Sequence, residues 1–185
     1  MQIARPTTAV FAAVALTVIS ASRVAAQTKP AAPSPKLDDP TIVAIFDNAN
    51  TWDIATGGLG AKKGTTKEIR DFGAQLERDH TTVRQQGRDL AKKLGVKVPA
   101  LPKDFQMKKD HDAAMKKLEG LSGKAFDRAF LQHEVDFHKA VIDAVNTTLM
   151  PALQNQEVKD LVTKVAPAFK AHEDMAQNLL DKATP

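Results

Sequence analysis

Four long segments of this 185-residue chain carry apolar residues three and four positions apart, and residues that end helices separate the segments. Gly64, Gly95, Gly120 and Pro151 stand at the breaks. The pattern predicts long helices over residues 41–63, 65–94, 122–149 and 155–181, with a shorter helix over 104–119. Long helices joined by short connections pack as antiparallel neighbours. The sequence therefore predicts an all-α antiparallel four-helix bundle with one additional short helix.

Residues suited to the first turn of a helix stand at the predicted starts. They are Asp38 and Asp39 before Pro40, Thr65 with Glu68 in a capping-box pattern, Ser122 and Asn155. Pro167 lies inside the last predicted helix, where it supplies no backbone donor. We expect it to bend that helix by disrupting one turn.

The composition supports helices and excludes several other classes of protein. The chain is 43% hydrophobic and 26% charged, with no cysteine, no tyrosine, eight Phe and one Trp. Disulfide-stapled, collagen-like and highly charged disordered chains are therefore excluded, and the low aromatic content favours helices over a β-sandwich. The formal net charge of +4 is small and spread along the sequence, so no nucleic-acid partner is expected.

Residues 1–26 have the pattern of a secretory signal peptide. Arg5 precedes an apolar run over 9–19, and small residues for cleavage stand at 24–26. The run is too short for a transmembrane helix, so we expect an exported protein, periplasmic or extracellular, with no integral membrane span after cleavage. A retained N-terminal anchor is the minority alternative.

The mature chain is predicted to contain a linker and one domain. Loss of Arg5 and Arg23 with the signal peptide lowers the formal net charge from +4 to +2. Residues 27–40 are rich in Pro and Ala, which predicts an extended linker. The domain follows over 41–182 and is long enough to bury one core.

Histidines occupy core positions in two of the predicted helices. His80 continues the apolar stripe of Ile69, Phe72 and Leu76, and His172 continues that of Phe169. The predicted helix over 122–149 has two apolar faces, one through His133 and the other through His138, and spacing alone does not choose between them. Asp53 borders a stripe of small residues in the first helix.

Asp53, His80, His138 and His172 each lie near the middle of their predicted helix. Mid-helix positions of an antiparallel bundle share one layer, so three imidazoles and a carboxylate can meet there in a layout that suits a metal ion. A metal-free network of buried hydrogen bonds is an equally weighted alternative, because unpartnered buried imidazoles cost about 1–3 kcal/mol each.

Other polar residues near these stripes are interpreted as surface residues or as residues outside the ligand group. Glu77 lies three residues before His80 and Glu134 four before His138, so each can share a face with its histidine; a solvated surface charge is the favoured interpretation of both. His111 and His133 are treated as peripheral. The Gly57-Gly58 pair is interpreted as a site of close helix packing or a kink rather than of ligand contact.

Three motifs resemble an exported bacterial family called domain of unknown function 4142, over roughly residues 41–181. They are residues 78–81 (Arg-Asp-His-Thr), residues 121–130 (beginning Leu-Ser-Gly) and residues 166–172 (Ala-Pro-Ala-Phe-Lys-Ala-His). The resemblance implies a ferritin-like fold, favours His138 over His133 and maps an acidic position of the family onto Asp53. A second acid common in that helix is replaced by Ala55. Members are often labelled outer-membrane proteins, but this sequence lacks the alternating strand segments of a β-barrel.

The ferritin-like di-iron pattern is incomplete in this sequence. That pattern requires a Glu-x-x-His pair on each of two helices, and here only Glu77 with His80 provides one, since Phe169 stands at the corresponding place of the last helix. We therefore predict a single divalent metal ion, zinc or alternatively iron or manganese. Its predicted ligands are His80, His138, His172 and Asp53.

The sequence favours a non-enzymatic exported domain with this metal site, whose role in the cell envelope or in stress survival is implied only by the family. No cysteine pair, phosphate-binding loop or serine-nucleophile motif is present. The alternative is a metal-free structural or interaction module of the envelope, acting as a homo-oligomer or with an unidentified envelope partner. A metallo-oxidoreductase ranks third, because it needs more carboxylates than the helices supply.

Overall fold

The computed structural model describes residues 37–183, and this part of the chain is all-α, as predicted. Its helices are α1 (Asp39–Lys63), α2 (Lys67–Lys93), α3 (Gln106–Gly120), α4 (Gly123–Ala144), α5 (Met150–Ala152) and α6 (Gln156–Ala183). A π-helical turn, Val145–Leu149, joins α4 to α5. The predicted signal peptide over 1–26, and the predicted linker as far as residue 36, lie outside the described residues.

The helix starts confirm some of the predicted caps and correct others. Asp38 accepts a hydrogen bond from the backbone of Thr41, and Asn155 accepts one from Val158. The cap of α2 is Thr66 rather than Thr65, since the Thr66 hydroxyl accepts from the backbone N–H of Ile69. Asp39 and Pro40 form the first turn of α1, so the helical part begins before the predicted end of the linker.

Three predicted helix features differ from the structure. Ser122 stands at the start of α4 but makes no side-chain cap bond. The predicted helix over 122–149 is regular only to Ala144, where the π-helical turn begins. Helix α6 is continuous through Pro167, so the predicted disruption of one turn is wrong.

The four long helices contact one another in a closed order, with α1 against α2, α2 against α6, α6 against α4 and α4 against α1. Each contact is antiparallel, because residue numbers rise along one helix as they fall along its neighbour. On the α1–α2 face, for example, the Arg88–Asp47 ion pair lies toward one end and the Gly57–Gly73 contact toward the other. The short helix α3 packs on α1 and α4.

Glycines let α1 and α2 approach closely. A Cβ atom on Gly73 would lie 2.3 Å from the backbone nitrogen of Ala61, and one on Gly57 would lie 2.8 Å from the carbonyl oxygen of Gly73. Neither distance is sterically allowed, so the contact needs hydrogen at both positions. The predicted role of Gly57 in close helix packing is thus confirmed.

Asp127, in the second of the three motifs (residues 121–130), fixes the connection between α1 and α2. Its side chain is 3% exposed and accepts hydrogen bonds from the backbone N–H and the hydroxyl of Thr65. Lys63 donates to the carbonyl oxygens of Leu118 and Glu119 at the end of α3. These bonds satisfy polar groups at the turn and hold α3 and α4 against it.

Apolar clusters fill both ends of the helix assembly and leave a polar layer between them. One cluster contains Phe72, Phe126 and Phe130, and the other contains Ile42, Val145 and Val158. Among the described residues, no helix is long and apolar enough to cross a membrane. The polar side chains that lie between the clusters form the candidate site.

Candidate metal centre

The structure brings together all four residues of the predicted ligand set, one from each long helix. Asp53 of α1, His80 of α2, His138 of α4 and His172 of α6 are between 1% and 4% exposed. The ring nitrogens of the three histidines can be chosen so that all lie within 4.8 Å of one another. The placement of these residues near the middle of their helices thus correctly predicted that their side chains come together. That the group holds a metal stays a prediction.

His80 is oriented by Asn50, a residue that the sequence analysis did not single out. The amide nitrogen of Asn50 donates to the carbonyl oxygen of Phe46 at 2.7 Å, which fixes its oxygen toward His80. That oxygen lies 2.9 Å from Nδ1 of His80 and can only accept, so Nδ1 donates. In neutral His80 the proton is therefore on Nδ1, and Nε2 is unprotonated.

His138 has the same protonation pattern through a backbone group. Its Nδ1 atom lies 2.9 Å from the carbonyl oxygen of Glu134, one turn earlier in α4. A carbonyl only accepts, so Nδ1 donates and Nε2 bears a lone pair. This Nε2 atom is buried and has no hydrogen-bond donor among the described residues.

His172 is held by a carboxylate at the edge of the site. Its Nε2 atom donates to Asp79 at 2.9 Å, and the Asp79 side chain is 41% exposed. The proton of neutral His172 is thus on Nε2, and Nδ1 bears the lone pair. Each histidine has one ring nitrogen fixed by an acceptor and the other left as a donor atom for a metal, the arrangement usual for metal-ligating imidazoles.

Three separations among the unprotonated atoms match those between ligands of one ion. Oδ2 of Asp53 lies 3.0 Å from Nε2 of His80 and 3.3 Å from Nε2 of His138. Nε2 of His80 lies 3.2 Å from Nδ1 of His172. Ligands of a tetrahedral zinc ion with bonds of 2.0–2.1 Å are separated by about 3.3 Å. These three separations therefore fit ligands of a single ion.

Burial lowers the pKa values of two of the imidazoles, those of His80 and His138. Desolvation lowers the pKa of His80 to about 4, although the Asp53 carboxylate acts in the opposite direction. Desolvation, and then the charge of His172, lower the pKa of His138 to about 3. At neutral pH these two rings therefore do not supply a positive charge to balance Asp53, whose two oxygens have no hydrogen-bond donor in the described part of the chain.

Glu134 is buried beside this group, so the sequence interpretation of it as a solvated surface charge is wrong. The side chain is 0% exposed, and Glu134, Asp53 and His138 form a second group with ligand atoms within 4.8 Å. Desolvation, followed by the charge of Asp53, raises the pKa of Glu134 well above its usual range. A protonated Glu134 carboxyl can donate to the carboxylate of Asp53, which two ionised carboxylates could not do.

Glu77 and Ala55 lie on the exposed faces of their helices. The Glu77-x-x-His80 pair therefore does not supply a carboxylate to the centre. A carboxylate at the position of Ala55 would also point away from the histidines, so the family's second acidic position lies outside this ligand group. Both observations favour one ion over two.

His111 and His133 lie outside the ligand group, as predicted. His111 stacks on Trp52, with ring centroids 5.7 Å apart, and burial lowers its pKa. His133 packs against Phe137, and burial lowers its pKa to about 4. Neither belongs to a candidate metal-ligand group among the described residues.

Sequence reasoning missed the residues that position the histidines. Asn50 and Asp79 make the orienting hydrogen bonds, and Phe169 stacks parallel to His80 with ring centroids 5.6 Å apart. Asp79 had one available signal, since it directly precedes His80 in the Arg-Asp-His-Thr motif. Asn50 had a weaker one, because it lies three positions before Asp53 and therefore on the same face of α1.

The fold and the centre define an all-α protein with a buried layer of histidines and carboxylates. A family model described as a domain of unknown function, DUF4142, matches residues 23–179. The chain therefore belongs to this family, and the resemblance carried by its three motifs is confirmed. No curated protein and no solved structure gives a significant match to this chain.

Proposed function

We propose that this protein is an exported, non-enzymatic domain that binds one divalent metal ion through His80, His138, His172 and Asp53. The observation that carries the proposal is the orientation of the three imidazoles. Each has one nitrogen fixed by an acceptor. The remaining nitrogens of His80 and His138 lie 3.0 and 3.3 Å from Oδ2 of Asp53, and that of His172 lies 3.2 Å from Nε2 of His80. Without a cation, these lone pairs repel one another across a buried space.

Charge supports a divalent ion in this site. The buried ligand set contributes one negative charge from Asp53, and Asp79 contributes a second through its hydrogen bond to His172. With the imidazoles neutral and Glu134 protonated, an ion of charge +2 balances the group. Imidazole with one carboxylate suits zinc, and also iron or manganese, and four protein ligands are typical of a structural zinc site.

The proposal also includes the type of helix bundle and the location of the protein. The closed antiparallel order of α1, α2, α6 and α4, with ligands from all four helices at mid-height, supports a ferritin-like four-helix bundle over about 41–182. The apolar run and small residues within 1–26 support export to the periplasm or the extracellular space. A structural ion joining four helices suits a domain that must be stable there without disulfides.

Metal analysis tests the proposal. The full chain, purified without an affinity tag or chelator, should contain about one metal per molecule by elemental analysis. The double variant His80→Ala/His172→Ala should contain none, whereas His133→Gln, which alters a histidine of α4 outside the ligand group, should keep it. Metal-free wild-type protein that stays metal-free in micromolar zinc, iron(II) and manganese(II) would overturn the proposal.

A further inference from the structure

A narrow apolar cavity adjoins the candidate metal centre. It offers about 30 Å³ of room for the centres of water-sized molecules. Asp53, His80 and His138 border it, while its other walls are mostly aliphatic and aromatic side chains, including Met107, Phe137, Val141 and Leu149. His172 does not line it. The cavity therefore reaches the ligand group from one side only, away from His172 and its partner Asp79.

The outer walls of the cavity are incompletely covered. Met107 of α3, Val141 of α4 and Leu149 of the π-helical turn are all only partly buried. The turn supplies both Val145 and Leu149 to the wall. Single π-helical turns within helices are frequent at functional sites, and here the turn stands beside a buried group of potential ligand atoms.

Size and polarity restrict what this cavity can hold. A water molecule needs about 10–15 Å³ of such room, so the space accepts one or two small molecules and no larger ligand. The apolar wall offers no partner for a charged molecule, and burying an unpaired charge is costly. A zinc-type site can also expand from four to five ligands.

We propose that this cavity admits a small uncharged molecule of diatomic size, which binds the metal ion as an additional ligand. The inference rests on the proposed metal site and extends it from a structural centre to one that receives an external ligand. The protein ligands stay bound, and no bond within the small molecule breaks. Hydrated cations and anions are excluded from this side of the centre because they would have to shed water against apolar walls.

Nitric oxide and azide distinguish the cavity from an unselective opening. The full chain is loaded with iron(II) under anaerobic conditions, and nitric oxide is added while the electron paramagnetic resonance signal of an iron–nitrosyl complex is followed. We expect an amount of nitrosyl complex equal to the bound iron. Azide, a charged molecule of similar width, should produce no spectral change at the same concentration.

A cavity-narrowing variant supplies the matched comparison. Ala144 lines the cavity, and Ala140, one turn earlier in α4, is exposed. Ala144→Leu should bind iron as the wild type does but take up nitric oxide several-fold more slowly, while Ala140→Leu should match the wild type. If Ala144→Leu does not fold, the comparison of nitric oxide with azide in the wild type still decides the question.

The outcomes separate this inference from the proposed function. A chain that takes up no metal overturns both. A chain that binds one iron yet forms no nitrosyl complex, or that binds azide as readily as nitric oxide, overturns only the cavity proposal. Equal nitric oxide uptake by folded Ala144→Leu and Ala140→Leu also overturns it, since the ligand would then reach the metal by another path.

Discussion

Nε2 of His80 lies 3.2 Å from Nδ1 of His172, and the other nitrogen of each ring already donates its proton elsewhere. Two neutral imidazoles in these tautomers face each other with lone pairs and no hydrogen between them. Protonating Nε2 of His80 would remove the conflict, but burial lowers the pKa of His80 to about 4. A metal ion resolves it at neutral pH, which makes this contact the most direct sign of the centre.

Asp53→Asn should affect metal-free and metal-bound protein in opposite directions. The Asp53 carboxylate is 1% exposed, and the neutral rings beside Oδ2 turn unprotonated nitrogens toward it. An amide nitrogen at the Oδ2 position could donate to Nε2 of His138, which is buried without a partner, or to Nε2 of His80. We expect metal-free Asp53→Asn to be more stable than metal-free wild type by about 1–3 kcal/mol, because a buried unsatisfied group is removed. Added metal should stabilise the wild type and leave the variant nearly unchanged.

Urea denaturation with chelator and with excess zinc measures both effects. Asp47→Asn serves as a control on the same helix, since Asp47 pairs with Arg88 outside the centre. It should leave the response to zinc intact. A metal-free Asp53→Asn protein that is less stable than wild type would mean that Oδ2 already accepts a hydrogen bond from one of the imidazoles, which would contradict the tautomers assigned to them.

Asp79→Ala should weaken metal binding without removing a ligand. The Asp79 carboxylate accepts from Nε2 of His172 and so keeps the lone pair on Nδ1, facing the centre. Loss of a partner that orients a metal-bound histidine costs about 10–100-fold in affinity. Competition with a zinc chelator of known affinity measures the change.

Asp89→Ala is the matched control for this substitution. Asp89 also lies on α2, but it is exposed and pairs with Gln85. It should bind zinc as the wild type does. Equal zinc affinity for Asp79→Ala and wild type would mean that His172 is held by its packing alone or does not bind the ion.

The helices and the meeting of the four ligand residues could be predicted because both follow from periodicity. His80 and His172 replace apolar residues on a single buried stripe, and antiparallel packing puts mid-helix positions at one height. The inclusion of His138 was harder to predict, because the sequence of α4 has two apolar faces. Which face is central depends on where α1 and α6 lie, and only the family resemblance indicated it before the structure did.

The hydrogen-bonded partners could not be predicted from periodicity. Glu134 lies one turn before His138 on α4, a spacing that fits a surface charge beside the stripe as well as a buried one, and the structure buries it beside Asp53 of α1. Asn50 and Asp79 flank the apolar stripes of α1 and α2, where a rotation of a few tens of degrees decides between solvent and core. The π-helical turn Val145–Leu149 has no glycine or proline within it to mark it in the sequence.

Gly57→Ala and Gly58→Ala should have opposite effects although the residues are adjacent. A Cβ on Gly57 would lie 2.8 Å from the carbonyl oxygen of Gly73 and 2.9 Å from the backbone nitrogen of Glu77, so α1 and α2 must separate. Forcing atoms into a packed contact costs about 1–3 kcal/mol. A Cβ on Gly58 meets only the Glu77 side chain at 3.6 Å, and alanine in a helix interior gains about 0.5–1 kcal/mol over glycine.

Thermal unfolding of the two variants in chelator measures these effects without a contribution from metal. Gly57→Ala should unfold at a lower temperature than the wild type and Gly58→Ala at a higher one. Equal destabilisation by both would show that α1 needs glycine flexibility along this stretch rather than a close approach to α2.

His133→Gln should reduce the amount by which the free energy of unfolding falls in acid. Burial lowers the pKa of His133 to about 4, and its charged or titratable neighbours are Asp53, His111, His138 and Asp136. The unfolded chain has an ordinary histidine pKa near 6.5, so between these values it binds more protons than the folded chain, and stability falls as pH falls. His133 alone should account for about 2 kcal/mol of that loss between pH 7 and pH 5.

Urea denaturation at both pH values, with chelator present, tests this contribution. His80 and His138 also have lowered pKa values, so the variant should still lose stability in acid, but less than the wild type does. Lys139→Gln, an exposed substitution on the same helix, should show the wild-type pH dependence. If His133→Gln and the wild type lose the same free energy of unfolding from pH 7 to pH 5, His133 is free to protonate in the folded state, and its ring must then reach solvent past Phe137.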